Sequence, residues 1–426
     1  MNNIAFKFYR TKKNNILIVH SFKNGQILFY DDISAKLLHN LLLNDSKTLS
    51  KLLSENNISV IDWNEFVDDF HLQIEQEAHQ YETISNEFNH SEKEVYEELY
   101  QAGFLYSFHL DLTKKCNFRC NHCYHTFESY DQNDLSLDEI KILFETLEKI
   151  GVFKLVLSGG EPLLRQDIWE ILELGKQHNF LIEIYSNGYL IDDNTVIKLK
   201  QYPVALLSFS YYGDEASTTK VTNNSLAHAH LMNAAKLCKA NNIVFEFKYT
   251  ILKENIDSIA YAREFCKTHS IPLSFELCIT PKLNGSTDNL RSKITEEEYI
   301  RVFSEHKDIM LYPPVKNNET DEVQCSAAKY SLYCDYSGEI FPCVSWRTSL
   351  GHISDLERIW KELWEKNHLI RKKCSAFPSF NKFSFCEYCY QICPGLSCLE
   401  KNNDGDCYNA GCEIAKIVER IYNQNK

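Results

Sequence analysis

The sequence predicts an α/β fold built on a partial barrel of six parallel strands, and three observations lead there. Between residues 108 and 278, short apolar strand patterns alternate with amphipathic helix patterns. Each strand pattern ends in a polar or Gly-bearing break, as at Ser158-Gly159-Gly160-Glu161-Pro162. Six strands are visible rather than the eight of a closed barrel. Repeated βα units of this kind wrap a parallel sheet, and functional groups collect at the C-terminal ends of its strands.

The elements follow in chain order. Residues 1–80 read as a small α/β unit with strands at 4–9, 16–21 and 26–30 and a turn at Asn24-Gly25. Asp32 is placed to cap a helix carrying Ile33, Leu37, Leu38 and Leu41, and Ser46 a second one. Asp62 precedes the stripe Trp63, Phe66, Val67, Phe70 and Ile74 of a third. The unit holds no phosphate loop, metal set or nucleophile. It is either a structural cap or a binding module whose open sheet edge adds a peptide strand. Residues 81–104 read as a charged helical connector. The barrel occupies 105–280, with strands at 108–113, 154–157, 181–185, 204–210, 243–250 and 273–278. Its helices fall at 137–150, 167–178, 193–200, 226–241 and 255–268. Residues 281–324 bridge to a Cys-rich region, 325–426.

Composition narrows the chemistry. The 426 residues carry 45 Lys+Arg against 59 Asp+Glu, a net charge of −14. That balance disfavours a nucleic-acid binder driven by phosphate contacts. No apolar run of 18 residues is present, so no membrane span is expected. The N-terminal stretch has Arg10, Lys12 and Lys13 ahead of only four apolar residues, too few for a secretion signal. A cytoplasmic, reducing setting follows, in which the 16 Cys serve as metal ligands or small buried side chains rather than disulfides.

Their positions matter more than their number. None precedes Cys116, three form Cys116-x3-Cys120-x2-Cys123, and ten crowd residues 325–412. Three thiolates in one loop suit three irons of a [4Fe–4S] cube and leave the fourth iron open for chemistry. Zinc competes, although zinc knuckles usually come as paired C-x2-C. Cys238 and Cys266 lie on helix patterns and read as buried small hydrophobes, and Cys278 as core filler at a strand end. Tyr211, Tyr212 and Lys248 sit on strands that face the pocket mouth, where packing accounts for each. His122 reads as a loop residue.

The triplet with Tyr124 after it, followed by Gly159-Gly160-Glu161-Pro162, resembles the radical S-adenosylmethionine enzymes over residues 105–280. The resemblance implies a partial (β/α)6 barrel of TIM type. It implies that Cys116, Cys120 and Cys123 hold the catalytic [4Fe–4S] cluster. Gly159, Gly160, Glu161 and Pro162 would then receive the methionine end of S-adenosylmethionine. Ser186, Asn187 and Ser210 would line the nucleoside, with Tyr124 beside it. Relatives often follow the position of Ser210 with Leu-Asp-Gly, where this chain has Tyr211, Tyr212 and Gly213.

The tail resembles a SPASM domain through Cys325-x12-Gly338-x4-Cys343 and the later run Cys386, Cys389, Cys393 and Cys398. The usual run is C-x2-C-x5-C-x3-C, whereas the later gaps here are x3 and x4. The resemblance implies one or two auxiliary [4Fe–4S] clusters. Cys325, Cys343 and Cys398 would hold the near one, with Cys334 available to complete it. Cys386, Cys389, Cys393 and Cys412 would hold the far one, leaving Cys374 and Cys407 unligated. The 1–80 unit resembles the winged-helix-like peptide-recognition domain fused to peptide-modifying enzymes, by element order and size. Together these imply a maturase that takes a ribosomal precursor peptide by its leader. A reduced cluster, fed by flavodoxin or ferredoxin, would generate a 5′-deoxyadenosyl radical that abstracts substrate hydrogen. A thioether is the first-choice product, ahead of a carbon–carbon crosslink and epimerisation. A sulfatase-maturase-like oxidase and a non-catalytic zinc-ribbon protein are the alternatives. No catalytic side chain is singled out.

Overall fold

The computed structural model describes residues 4–21, 26–75, 90–126, 134–277, 279–309 and 326–365. The N-terminal unit is an antiparallel sheet of β1 (Ile4–Arg10), β2 (Asn15–Ser21) and β3 (Ile27–Asp31) in that order. Helices α1 (Asp32–Leu42), α2 (Ser46–Glu55) and α3 (Val60–Glu75) follow. Two caps differ from expectation. Asp31 stands at the cap position of α1 without a side-chain bond, and Asp32 is already helical. Asp45, not Ser46, accepts the Thr48 amide of α2. Ser59 and Asp62 exchange hydrogen bonds at the start of α3. The turn at Asn24-Gly25 lies outside the described residues.

The strict alternation of β2 divides its side chains between two cores. Leu17 and Val19 pack under α1 and α3 with Leu38, Trp63 and Phe70. Ile16 and Ile18 face the other way, with Ala5 and Tyr9, onto Tyr106, Phe153, Leu181 and Ala205. Those four sit at the N-terminal ends of barrel strands, so the small sheet covers the floor of the barrel. Tyr9 also donates its hydroxyl hydrogen to the Gly151 carbonyl at 2.9 Å. Helix α4 (His90–Gln101) borders this joint through Tyr96 and Leu99.

The large sheet runs β4 (Ser107–Thr113), β5 (Lys154–Gly159), β6 (Leu181–Ser186), β7 (Val204–Tyr211), β8 (Phe245–Thr250) and β9 (Leu273–Glu276), all parallel. Helices α5 (Leu137–Lys149), α6 (Ile168–Gln177) and α7 (Asp193–Leu199) follow the first three strands. After β7 come two helices, α8 (Glu215–Thr222) and α9 (Ala227–Ala240), where one was expected. Helix α10 (Ile259–Thr268) completes the set, and α11 (Glu296–Glu305) lies in the bridging stretch expected to be a linker.

The sheet continues past β4. Strand β10 (Ser331–Cys334) pairs with β4 in parallel, then β11 (Glu339–Phe341) and β12 (Gly351–His352) join antiparallel. Helix α12 (Leu356–Trp364) is fastened to the end of α4. Trp360 donates to the Gly103 carbonyl at 2.7 Å and Trp364 to that of Tyr100 at 2.9 Å. The fold is a partial, open (β/α)6 barrel extended by a C-terminal three-stranded element.

Its two faces differ sharply. Phe108, Leu110, Leu112, Leu155, Leu157, Ile182, Ile184, Phe245 and Phe247 form one buried apolar layer beneath the helices. Their alternates, His109, Asp111, Lys154, Glu183, Glu246 and Lys248, point into the concave face. A parallel sheet covered on both sides reads as continuous apolar runs. Here β4, β6 and β8 place polar residues at alternate positions, so their second face is polar.

Candidate active site

The triplet loop leaves the C-terminal end of β4 and is held from four directions. The Gly160 amide donates to the Thr113 carbonyl at 2.6 Å, and the Glu161 amide to that of Lys115 at 2.8 Å. This approach requires the glycines. A Cβ on Gly159 would overlap the Thr113 oxygen, and one on Gly160 the Lys115 oxygen, while Gly159 also has φ +116°. From β6, the Asn187 amide group donates to Asn117 at 2.7 Å and lies 3.9 Å from the Cys116 sulfur. From the left-handed end of α8, Asn223 donates to Arg119 O at 2.7 Å and Asn121 Oδ1 at 2.9 Å. Asn289 donates to the His122 carbonyl at 3.1 Å.

The three thiols are electrostatic neighbours. Burial pushes all of them up: Cys116 above the ordinary thiol value, Cys123 to about 12, and Cys120 well above, with Cys123 and Cys116 adding to it. Arg119 pulls Cys116 down and Lys282 pulls Cys123 down, but burial prevails, and a metal displaces thiol protons on binding. Among the described residues no set of three His, Cys, Asp or Glu side chains already converges on one point. The donor set nevertheless fits an iron–sulfur cluster: three neighbouring thiols on a clamped loop.

Glu161 is fully buried. It accepts from the Ser186 hydroxyl at 2.9 Å, the Asn187 amide at 2.8 Å and the Leu163 amide at 3.2 Å. Burial raises its pKa to about 7 against the pull of those bonds. Gly159, Gly160, Glu161, Pro162, Ser186 and Asn187 therefore meet the Cys loop at one corner. Ser210 and Cys120 both lie against the Tyr212 hydroxyl, and the ring of Tyr212 packs on His122 with centroids 5.4 Å apart. Tyr211 turns into the helix-side core beside Phe247. Cys238 and Cys266 are buried there too, as expected.

Tyr124 donates to Asp111 at 3.2 Å, and Tyr333 from β10 donates to the same oxygen at 2.6 Å. His109 and His125 approach the carboxylate at 3.5 and 3.3 Å without hydrogen-bond geometry. Burial would raise the Asp111 pKa, but these two imidazoles outweigh it and hold it well below the carboxylate range. Further along the concave face, Lys154 pairs with Glu183 at 2.6 Å. Lys248 lies 3.4 Å from Glu246 and 4.9 Å from the Tyr185 ring centre. Burial would lower the Lys248 pKa; Tyr185, Glu246 and Glu276 raise it.

Sequence reasoning passed over Asp111, His109, Tyr333, Asn223 and Asn289. The polar alternation His109-x-Asp111 in an otherwise apolar strand was the available signal. Of the expected tail ligands, Cys343 and Cys334 are described. Cys334 is fully buried on the apolar layer, while Cys343 is half-buried at the start of a tight turn. Cys325, Cys386, Cys389, Cys393, Cys398 and Cys412 lie outside the described residues, as do Cys278, Cys374 and Cys407.

Residues 110–266 match the Radical SAM superfamily. The chain carries a radical SAM domain and is a radical S-adenosylmethionine enzyme, whose cofactors are a [4Fe–4S] cluster and S-adenosylmethionine. The expectation of a non-catalytic zinc-ribbon protein is thereby withdrawn. It is 25% identical over 324 residues to the AdoMet-dependent heme synthase of Methanosarcina barkeri, covering 70% of this chain and 92% of that protein. It is 25% identical over 150 residues to mycofactocin maturase MftC of Mycolicibacterium smegmatis, covering 35% of this chain and 38% of that one. In fold it is similar to Streptococcus suis SuiB, with TM-score 0.57 and 16% identity over 96% of this chain and 99% of that one. It is also similar to anSMEcpe with bound AdoMet and a peptide, with TM-score 0.55 and 16% identity over 75% of this chain and 99% of that one. No helix among the described residues is long and apolar enough to cross a membrane.

Proposed function

We propose that the protein is a radical S-adenosylmethionine peptide maturase acting on a ribosomally made precursor. The observation that carries this reading is the N-terminal sheet, fixed to the barrel floor, with β1 and β3 each paired on one side only among the described residues. An open strand edge takes an extended peptide by main-chain hydrogen bonds. Similarity to SuiB over nearly the whole of both chains supports it, since that protein has been crystallised with its precursor peptide SuiA. In this reading residues 1–80 take the leader, 81–104 connect, 105–280 form the catalytic barrel, 281–324 bridge, and 325–426 form a SPASM domain with auxiliary clusters.

Cys116, Cys120 and Cys123 hold the catalytic cluster. The bound cluster and S-adenosylmethionine supply a 5′-deoxyadenosyl radical. The chain's own work is positional. Gly159 and Gly160 seat the loop, Glu161 receives the cofactor's methionine end, and Ser186 and Asn187, which both donate to Glu161, line the nucleoside. Ser210 and Tyr124 flank the nucleoside. The polar concave face orients the substrate segment. A thioether is the first-choice product and a carbon–carbon crosslink the second, with electrons from a flavodoxin or ferredoxin in the cytoplasm.

The test compares a full-length precursor with the same peptide lacking its leader, using reconstituted enzyme. Turnover falls at least 100-fold without the leader, while uncoupled cofactor cleavage stays the same. Equal turnover of both peptides sinks the reading. A second reading, tetrapyrrole chemistry, is favoured by the match to 92% of a heme synthase. It predicts a shifted Soret band on incubation with Fe-coproporphyrin III, which the maturase reading does not. A sulfatase-maturase-like oxidase would instead accept a leaderless peptide.

A further inference from the structure

Arg347 carries its guanidinium to the edge of the Cys loop, over the Tyr124 ring and 5.4 Å from its centre. It comes from a rigid turn. Cys343 and Trp346 form a bridge, the Trp346 amide donates to the Cys343 carbonyl at 3.1 Å, and Trp346 is buried. Two guanidinium nitrogens, Nε and Nη2, are buried and have no hydrogen-bond partner among the described residues. Buried cations are ordinarily paired, because an uncompensated one is costly. An unpaired fork held in place beside a reaction centre is built for an anion that arrives from outside.

Its planar donors match a carboxylate or a phosphate. Asp111 chooses between them: its buried carboxylate is bonded to the same Tyr124 and repels a dianion. We propose that Arg347 and the face of Tyr124 form a carboxylate-binding subsite that anchors the substrate segment beside the Cys loop. The carboxylate belongs to an acidic side chain or to the end of the peptide. That carrier rests on the maturase reading; the subsite itself does not.

The experiment uses anaerobically reconstituted holoenzyme with S-adenosylmethionine. The dissociation constants of acetyl-Gly-Glu-Gly-amide and acetyl-Gly-Gln-Gly-amide are measured by calorimetry, and acetyl-Gly-Gly-Gly as free acid and amide gives the terminal-carboxylate arm. One carboxylate peptide binds about ten-fold more tightly than its amide. The preference disappears in R347Q and survives in part in R347K. The thermal midpoint of peptide-free R347Q is no lower than wild type, which loss of a merely structural arginine would not give. Equal or undetectable binding of both members of each pair by the wild type overturns the proposal, as does a preference that survives R347Q. A ten-fold loss of S-adenosylmethionine affinity in R347Q assigns the guanidinium to the cofactor's own carboxylate and also overturns it. Neither readout uses precursor turnover, so this failure is separable from failure of the maturase reading.

Discussion

Tyr333 donates its hydroxyl hydrogen to Asp111 at 2.6 Å across 222 positions of sequence. The bond joins the C-terminal element to the first barrel strand, directly beneath Tyr124 and the Cys loop. Asp111 therefore sets where that loop's exit lies.

Replacing it tests this. In D111N the fold persists, because the side chain keeps its shape, but the charge facing His109 and His125 is gone. We expect a stability loss of about 1.5–3 kcal/mol, the range for hydrogen bonds to charged groups. Urea unfolding measures it, and precursor turnover should drop at least ten-fold. Wild-type stability and turnover in D111N would show that Asp111 merely fills space.

The glycine pair offers a sharper contrast. G160A drives a methyl group into the Lys115 carbonyl at the base of the triplet loop. Iron content after reconstitution should fall by about one cluster per chain. G285A is the control, since nothing lies within 4 Å of its Cβ although φ is +83°. It should cost about 1 kcal/mol in stability and leave iron content unchanged.

The floor joint should respond to acid. Burial holds His20 down at about 4, with Glu183 pulling up and Lys154 pushing down. The folded state therefore prefers neutral imidazole. Its contribution is complete above pH 6.5 and is lost as pH falls toward 4, amounting to about 3 kcal/mol at most. Urea midpoints of wild type should decline more steeply than those of H20Q between pH 6.5 and 4. Parallel curves would remove His20 from the account.

Asn223 adopts a left-handed conformation at the end of α8 and donates twice to the triplet loop. N223A should weaken cluster retention against a chelator several-fold, whereas N223G restores the backbone but not the bonds. Equal retention in all three proteins would show that the loop is held elsewhere.

The barrel was legible because each βα unit repeats a local pattern. Strands β4 to β9 could be placed from adjacent residues alone, whereas Glu161, Ser186 and Asn187 were singled out only through the resemblance to radical S-adenosylmethionine enzymes. Helix α8 was not, since Glu215–Thr222 is short and largely polar and its start rests on the Asp214 cap. The pairing of β10 with β4 joins residues over 200 positions apart, which no local window records. The polar face of β4, β6 and β8 was visible as alternation, but which groups meet on it depends on how the strands pair. Arg347 had no sequence signal, because a charge without a partner among the described residues is defined by what surrounds it.

The small sheet packs on the N-terminal ends of β4 to β7, and the Cys loop lies at the other end of the barrel. Six-residue strands such as β5 and β6 set that height at about 20 Å. A peptide gripped at that end and altered at the other would have to span this height. About six extended residues is then the shortest tether between grip and reaction. If the maturase reading holds, the barrel would act as a ruler, fixing how far along its substrate the first altered position lies.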